Sequence, residues 1–178
     1  DECTDYPCTH EEAERSMKLS LDWGARSLEA FGTRDRQTLF GIVQGSNYPD
    51  LREASAKAVS RQGFCGIAIG GLAVGEGHDQ MCRTIEMTMP HLPTDYPRYV
   101  RGVGKPIDLV EAVARGVDMF DCVLPTRAGR HGQAWTWDGP INLKNARFAE
   151  DQSPLDEAVP CPASQDYSKA YLHHLIRS

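Results

Sequence analysis

Apolar positions along the chain alternate between helical spacing and short continuous runs. Ala13, Met17, Leu21, Ala25 and Leu28 recur at three to four residues, as one face of a helix does. Thr9 and Glu12 stand before them at the spacing of a capping box, and Gly32 marks the end. "TLFGIVQG" (38–45) then reads as a strand. "YPDLREASAKAVSRQG" (48–63) reads as a helix, with Pro49 in its first turn and Gly63 past its end. The same rhythm repeats: a strand over 64–71, a helix over 78–92 broken by Pro90, a strand over 98–104, a helix over 106–116, and a strand over 117–122.

Strands alternating with helices through short loops predict a parallel α/β architecture. The strand segments are apolar throughout, as parallel strands buried on both faces are. Four such units amount to about half of a (β/α)8 barrel. A doubly wound open sheet has the same periodicity and stays open as the alternative. Beyond Gly132 the rhythm changes. "QAWTWDGPINLKN" predicts a hairpin turning at Asp138-Gly139-Pro140, and "SQDYSKAYLHHLIRS" predicts one last helix. The expected division is therefore 1–132, the α/β part, and 133–178, a hairpin and helix region.

Composition narrows the class. With 178 residues, 40% hydrophobic and 25% charged, the chain has the make-up of a globular protein. No apolar run approaches the roughly 20 residues that span a bilayer, so no membrane partner is expected. The six cysteines are dispersed with no CxxC pair. Without a secretion signal, that pattern reads as reduced thiols in a cytoplasmic protein. The opening "DECTDYPCTH" is acidic and lacks an initiator Met, which suggests a start inside a longer protein. The net charge of −6 excludes a protein that attracts nucleic acid over its whole surface. Charge is uneven, however: Arg127, Arg130, Lys144 and Arg147 face Asp138 alone between 126 and 148. Such an island binds phosphate or is simply a solvated loop.

The candidate chemistry lies at the predicted C-terminal ends of the strands: Gln44-Gly45, Gly70-Gly71, Gly102 and Asp121. In a β/α barrel those ends surround one pocket. Gln44 offers both a donor and an acceptor, Gly71 lets backbone N–H approach a flat ligand, and an ionised Asp121 is an acceptor and a potential nucleophile. Asp1 joins them if it ends a preceding strand. Each has a plainer reading: glycines serve turns, Gln44 caps a loop, and Asp121 accepts from backbone N–H groups. Asp121 also sits within "VDMFDCVLPTRAGR", an apolar run where an unpaired carboxylate is costly, followed by two arginines in a turn-rich segment.

Five stretches carry a resemblance: "DECTDYP", "GIVQGS", "GIAIGGLAVGEG", "RGVGKPIDLVEAVARGVDMFDCVLPTRAGRHGQA" and "DGPINLKNARF". They are similar to the bacterial tRNA-guanine transglycosylase family over the whole chain, most specifically in "MFDCVLPTR" and "GGLAVGE". The resemblance implies the C-terminal half of a modified (β/α)8 TIM barrel, followed by the start of a zinc-bearing subdomain. It implies exchange of guanine at the wobble position of tRNAs with GUN anticodons for 7-aminomethyl-7-deazaguanine, or for queuine in eukaryotes, in queuosine biosynthesis. By motif, Asp121 is similar to the nucleophile that forms a covalent bond to ribose, as in retaining glycosidases. Asp1 resembles the acceptor for the base's Watson–Crick edge, and Gln44 with the Gly71 N–H resembles the contacts to its carbonyl. Leu72 lies where the family's backbone carbonyl meets the aminomethyl group, and Glu76 resembles the neighbour that helps orient that peptide. Gly102, Val103, Gly104, Lys105, Pro106, Ile107 and Asp108 match one tRNA-contacting stretch. Thr126, Arg127, Ala128, Gly129 and Arg130 match another, around a flipped-out nucleotide. The family commonly dimerises, so a homodimer is an expectation of the same kind.

The chain also departs from the pattern. The family's general acid/base aspartate has no counterpart here. Its CxCxxC run reads "VPCPAS", with Val159 and Ser164 at two cysteine positions and only Cys161 retained. One thiol does not hold a structural zinc, which takes four ligands, so no cofactor is expected. His173 and His174 read as surface or packing residues. Arg101 stands where the family usually has Met against the base. Half a barrel leaves strand edges unpaired, so the piece is expected to fold poorly alone. A catalytically incompetent fragment or tRNA-binding partner subunit of the same family is therefore the alternative to an enzyme. A glycosidase-type barrel is a third reading, but it needs a second pocket carboxylate that the later strands do not supply.

Overall fold

The computed structural model describes residues 1–178, which form two compact units, Asp1–Cys122 and Val123–Ser178. In the first unit, helices α1 (His10–Phe31), α2 (Pro49–Arg61), α3 (His78–Thr88) and α4 (Pro106–Ala114) alternate with strands β1 (Phe40–Val43), β2 (Gly66–Ile69), β3 (Arg98–Arg101) and β4 (Met119–Asp121). The strands form one parallel sheet in the order β1-β2-β3-β4. This sequential parallel order is that of a barrel segment; β1 and β4 each pair on one side only.

The helix ends follow from local chemistry. Thr9 accepts from the Glu12 N–H at 3.2 Å, and Glu11 and Glu12 place negative charge at the positive end of α1. Proline opens α2 and α4. The helix expected over 78–92 ends at Thr88 and tightens into a 3-10 turn over Met89–His91, because Pro90 cannot donate within a helix.

The core lies between the sheet and one layer of helices. Val43, Ile67, Ile69 and Val100 point into it and are buried with Val59, Ile85 and Ala112. Two glycines admit close aromatic packing. A Cβ at Gly66 would stand 2.3 Å from the Phe40 ring, and one at Gly41 would stand 2.4 Å from Phe64.

Three expectations need correction here. The strands are shorter than their apolar runs, since pairing stops where each chain turns toward its helix. They are not all buried on both faces: helices cover one face, and Met119 and Asp121 on β4 are exposed. Asp121 is therefore not an acid buried among apolar groups.

The second unit holds α5 (Leu124–Arg130), β5 (Gln133–Thr136), β6 (Gly139–Asn142), α6 (Pro162–Gln165) and α7 (Lys169–Arg177). "LPTRAGR", expected as a turn-rich loop, is a short helix with Pro125 in its first turn and Arg127 and Arg130 in its last. The hairpin forms, but it turns at Trp137-Asp138, because Thr136 pairs with Gly139 and Trp135 with Pro140. The single last helix is two: the chain breaks at Asp166-Tyr167, and Ser168 caps α7 by accepting from the Tyr171 N–H at 3.1 Å.

Candidate functional site

Side chains alternate across a strand, so the parallel register decides which residues share a face. Phe40 pairs with Gly66, Ile42 with Ala68, Ala68 with Tyr99, Tyr99 with Met119, and Arg101 with Asp121. These residues occupy the face opposite the helices. Gln44, just past β1, continues it. Its Nε2 donates to Asp1 Oδ2 at 2.9 Å, across 43 residues of sequence. The face thus carries Asp1 and Gln44 at the β1 end and Asp121 at the β4 end.

Asp121 is held by a neighbour that motif reading missed. The Tyr99 hydroxyl donates to Asp121 Oδ1 at 2.5 Å. That bond to the carboxylate, with burial second, holds the Tyr99 phenol above its ordinary value. Arg101 Nε lies 3.9 Å from the same oxygen. Strand alternation was the available signal, because Tyr99 is two residues before Arg101 and shares its face.

The loops after β1 and β2 are fixed from beneath by a second missed residue, Arg52. It is fully buried on α2. Its Nε donates to Ser46 O at 2.6 Å, and its Nη1 donates to Gly70 O at 2.8 Å and Val43 O at 3.3 Å. Nη2 has no partner. Burial lowers the Arg52 pKa to about 10, and the nearby acidic groups Cys3 and Glu76 offset only part of that fall. A cation at i with Ser55, Ala56 and Val59 at i+3, i+4 and i+7 was the sequence sign of a buried charge.

Gly71 shows why glycine stands there. Its φ is +68°, and a Cβ would meet Arg52 Nη2 at 2.9 Å and Gln44 Oε1 at 3.0 Å. Leu72 is buried. Glu76 accepts from the Ala73 N–H at 2.7 Å and the Val74 N–H at 2.8 Å. The Ala73 N–H belongs to the peptide whose carbonyl is that of Leu72, so Glu76 holds that peptide by its other end.

The stretch after β3 divides by role. The Gly102 N–H donates to Asp121 O at 2.9 Å, Val103 is buried, and Lys105 and Ile107 are exposed. Asp108 Oδ1 lies 2.7 Å from His78 Nδ1, an ion pair whenever that histidine is protonated. Thr126, Arg127, Gly129 and Arg130 are exposed on α5 of the second unit, and Ala128 is buried. Neither arginine forms an ion pair.

A cavity of about 350 Å³ opens at the β1 edge of the sheet, with α1 forming one wall, and neither Gln44 nor Gly71 lines it. Asp1, Trp23, Phe40, Ala68, Tyr99 and Arg101 are among its walls, and Asp121 lies beyond them. Its size and mixed lining suit a small planar polar molecule.

In the second unit, Cys161 is the one thiol. Val159 has no donor atom. Cys161 Sγ lies 3.2 Å from Ser164 Oγ, and that hydroxyl is the main group holding the thiol below its ordinary value. His173 Nδ1 donates to Leu143 O at 2.6 Å. No three His, Cys, Asp or Glu side chains converge as a metal site needs. All six cysteines are free thiols, and no helix is long and apolar enough to cross a membrane.

The family model described as queuine tRNA-ribosyltransferase matches residues 1–178. The chain is 64% identical over its full length to the queuine tRNA-ribosyltransferase of Caulobacter vibrioides, covering 48% of that protein. It is 57% identical to that of Zymomonas mobilis, covering 47%, and 56% identical to that of Rickettsia bellii, covering 49%. The chain thus spans about half the length of the curated relatives it matches. With the match running from the first residue to the last, the chain belongs to the queuine tRNA-ribosyltransferase family.

Proposed function

We propose that this chain carries the base pocket and the nucleophile of a tRNA-guanine transglycosylase, a pentosyltransferase acting at the wobble guanine of tRNAs with GUN anticodons. One observation supports this reading above the others. The sheet register sets Asp121 on the same uncovered face as the Gln44–Asp1 pair. A nucleotide lying across that face meets a hydrogen-bonding pair at its base and a carboxylate at its sugar.

An Asp121 oxygen forms a bond to C1′ of the ribose while the C1′–N9 bond to guanine breaks, and the pair of electrons leaves with guanine. The proton guanine takes comes from an acid that is not among this chain's assigned residues. The incoming 7-aminomethyl-7-deazaguanine then gives up its N9 proton to the group that protonated guanine, bonds to C1′ through N9 and displaces the carboxylate, which is a competent leaving group. Tyr99 orients Asp121 by its hydrogen bond. Asp1, Gln44 and the Gly71 N–H read the base, Glu76 and the Leu72 carbonyl flank its 7-substituent, and residues 102–108 and 126–130 hold the RNA. We further propose that the second unit needs no zinc and that a homodimer forms.

The test is exchange of radiolabelled guanine into unmodified tRNA, using the protein as its gene encodes it and its Asp121→Asn variant. Exchange by the wild type that vanishes in the variant is expected. Exchange surviving in Asp121→Asn refutes the nucleophile. A wild type that binds tRNA without exchanging guanine favours the second reading, a non-catalytic partner subunit, for which Val159 and Ser164 at metal-ligand positions speak.

A further inference from the structure

The sheet face that carries Asp1, Gln44 and Asp121 carries one cation, Arg101. Its partner across the β3–β4 register is Asp121, and the pair is loose, with Nε 3.9 Å from Oδ1 and both side chains more than half exposed. Between the two ends of the face, β2 contributes only Gly66 and Ala68, with Gly70 just past its end. A flat ligand running from Asp1 to Asp121 crosses these small residues and then β3, whose side chains on this face are Tyr99 and Arg101. Both line the cavity with Asp1, but the Tyr99 hydroxyl is committed to Asp121 whereas the Arg101 guanidinium makes only the loose contact.

We propose that Arg101 is a specificity-determining residue that sets which bases this protein accepts by their charge. A guanidinium at the edge or face of a neutral aromatic base is attracted to it. The same guanidinium repels a base that carries an ammonium group. The pocket thus favours guanine and neutral 7-deazaguanines over 7-aminomethyl-7-deazaguanine, relative to the same pocket without the charge. Asp121 offsets only part of the field, because at 3.9 Å in an exposed site it neutralises Arg101 incompletely. This inference rests on the reading of the face as a base site.

The experiment measures equilibrium binding of radiolabelled guanine and 7-aminomethyl-7-deazaguanine to the protein as its gene encodes it, beside Arg101→Gln and Arg101→Lys. Removing the charge in Arg101→Gln is expected to shift the affinity ratio toward the ammonium-bearing base by about threefold to tenfold. Arg101→Lys keeps the charge and is expected to keep the wild-type ratio. Raising the salt concentration is expected to narrow the wild-type ratio toward that of Arg101→Gln. An Arg101→Gln ratio equal to wild type overturns the inference while leaving the base site standing. A loss of affinity equal for both bases overturns it too, because that is the mark of a merely structural role. Binding of neither base by the wild type removes the base site and the inference together.

Discussion

Replacing Arg52 tests whether a buried, incompletely paired cation holds the pocket loops. The guanidinium makes three hydrogen bonds to carbonyls, one at the end of β1 and one in each of the two loops that follow β1 and β2. At about 1.5–3 kcal/mol for each bond to a charged group, these stabilise by roughly 5–9 kcal/mol. Against that stands the cost of keeping the charge dry. A fall from 12.5 to about 10 corresponds to about 3 kcal/mol. The bonds win, so Arg52→Met, which fills most of the volume, is expected to destabilise by about 2–5 kcal/mol. Arg52→Lys keeps a charge but cannot span both loops, and is expected to fall between. Urea unfolding followed by circular dichroism measures the difference. Hydrogen exchange locates it, with faster exchange expected over 44–52 and 70–73. Buried ion clusters elsewhere have been replaced by apolar residues with a gain in stability. If Arg52→Met is as stable as wild type, the hydrogen bonds are not what holds these loops, and the reasoning fails.

Tyr99→Phe removes the donor to Asp121 and is expected to slow guanine exchange about tenfold through kcat, with base affinity little changed; an unchanged kcat refutes the positioning role. Because the Tyr99 phenol is raised in the folded protein, its contribution to stability is complete below its ordinary value of 10 and is lost as pH rises through the folded value. An ultraviolet titration should find one tyrosine ionising late, and Asp121→Asn should bring it back; a late phenol persisting in that variant assigns the shift elsewhere. Arg127→Ala is expected to weaken tRNA binding and to lower the slope of log affinity against log salt by about 1; a slope equal to wild type contradicts the phosphate contact. Metal analysis and chelator treatment are expected to find no zinc in the second unit and no loss of its helical signal, whereas one zinc per chain contradicts the donor reading of Val159, Cys161 and Ser164.

The alternation of helices and strands in the first unit was legible in the chain because its signals are local. Thr9, Pro49, Pro106 and the glycines at 32, 63 and 116 stop or start helices through bonds and dihedral angles within a few residues. The motif residues at the strand ends were legible for the same reason, since the end of an apolar run marks the end of a strand. The second unit was read less well. Seven residues of "LPTRAGR" carry too few apolar positions to show a period, so packing of Ala128 rather than pattern makes them a helix. The break between α6 and α7 depends on Ser168 serving as a cap while its neighbour Lys169 donates its N–H to Ser153 O.

What the sequence by itself determined is the order of elements and the family to which they belong. The tertiary structure alone decided which side chains meet. Asp121 lies in an apolar run, yet it is exposed, because β4 has neighbours on one side only and its outer face has no helix over it. Tyr99 and Arg101 reach Asp121 across about 20 residues only through the register of two parallel strands. Arg52 is a cation on an amphipathic helix, and only the return of two loops over it supplies the carbonyls that make its burial tolerable. Periodicity reports which face of an element is apolar. Register and burial depend on partners far along the chain, and no local pattern encodes them.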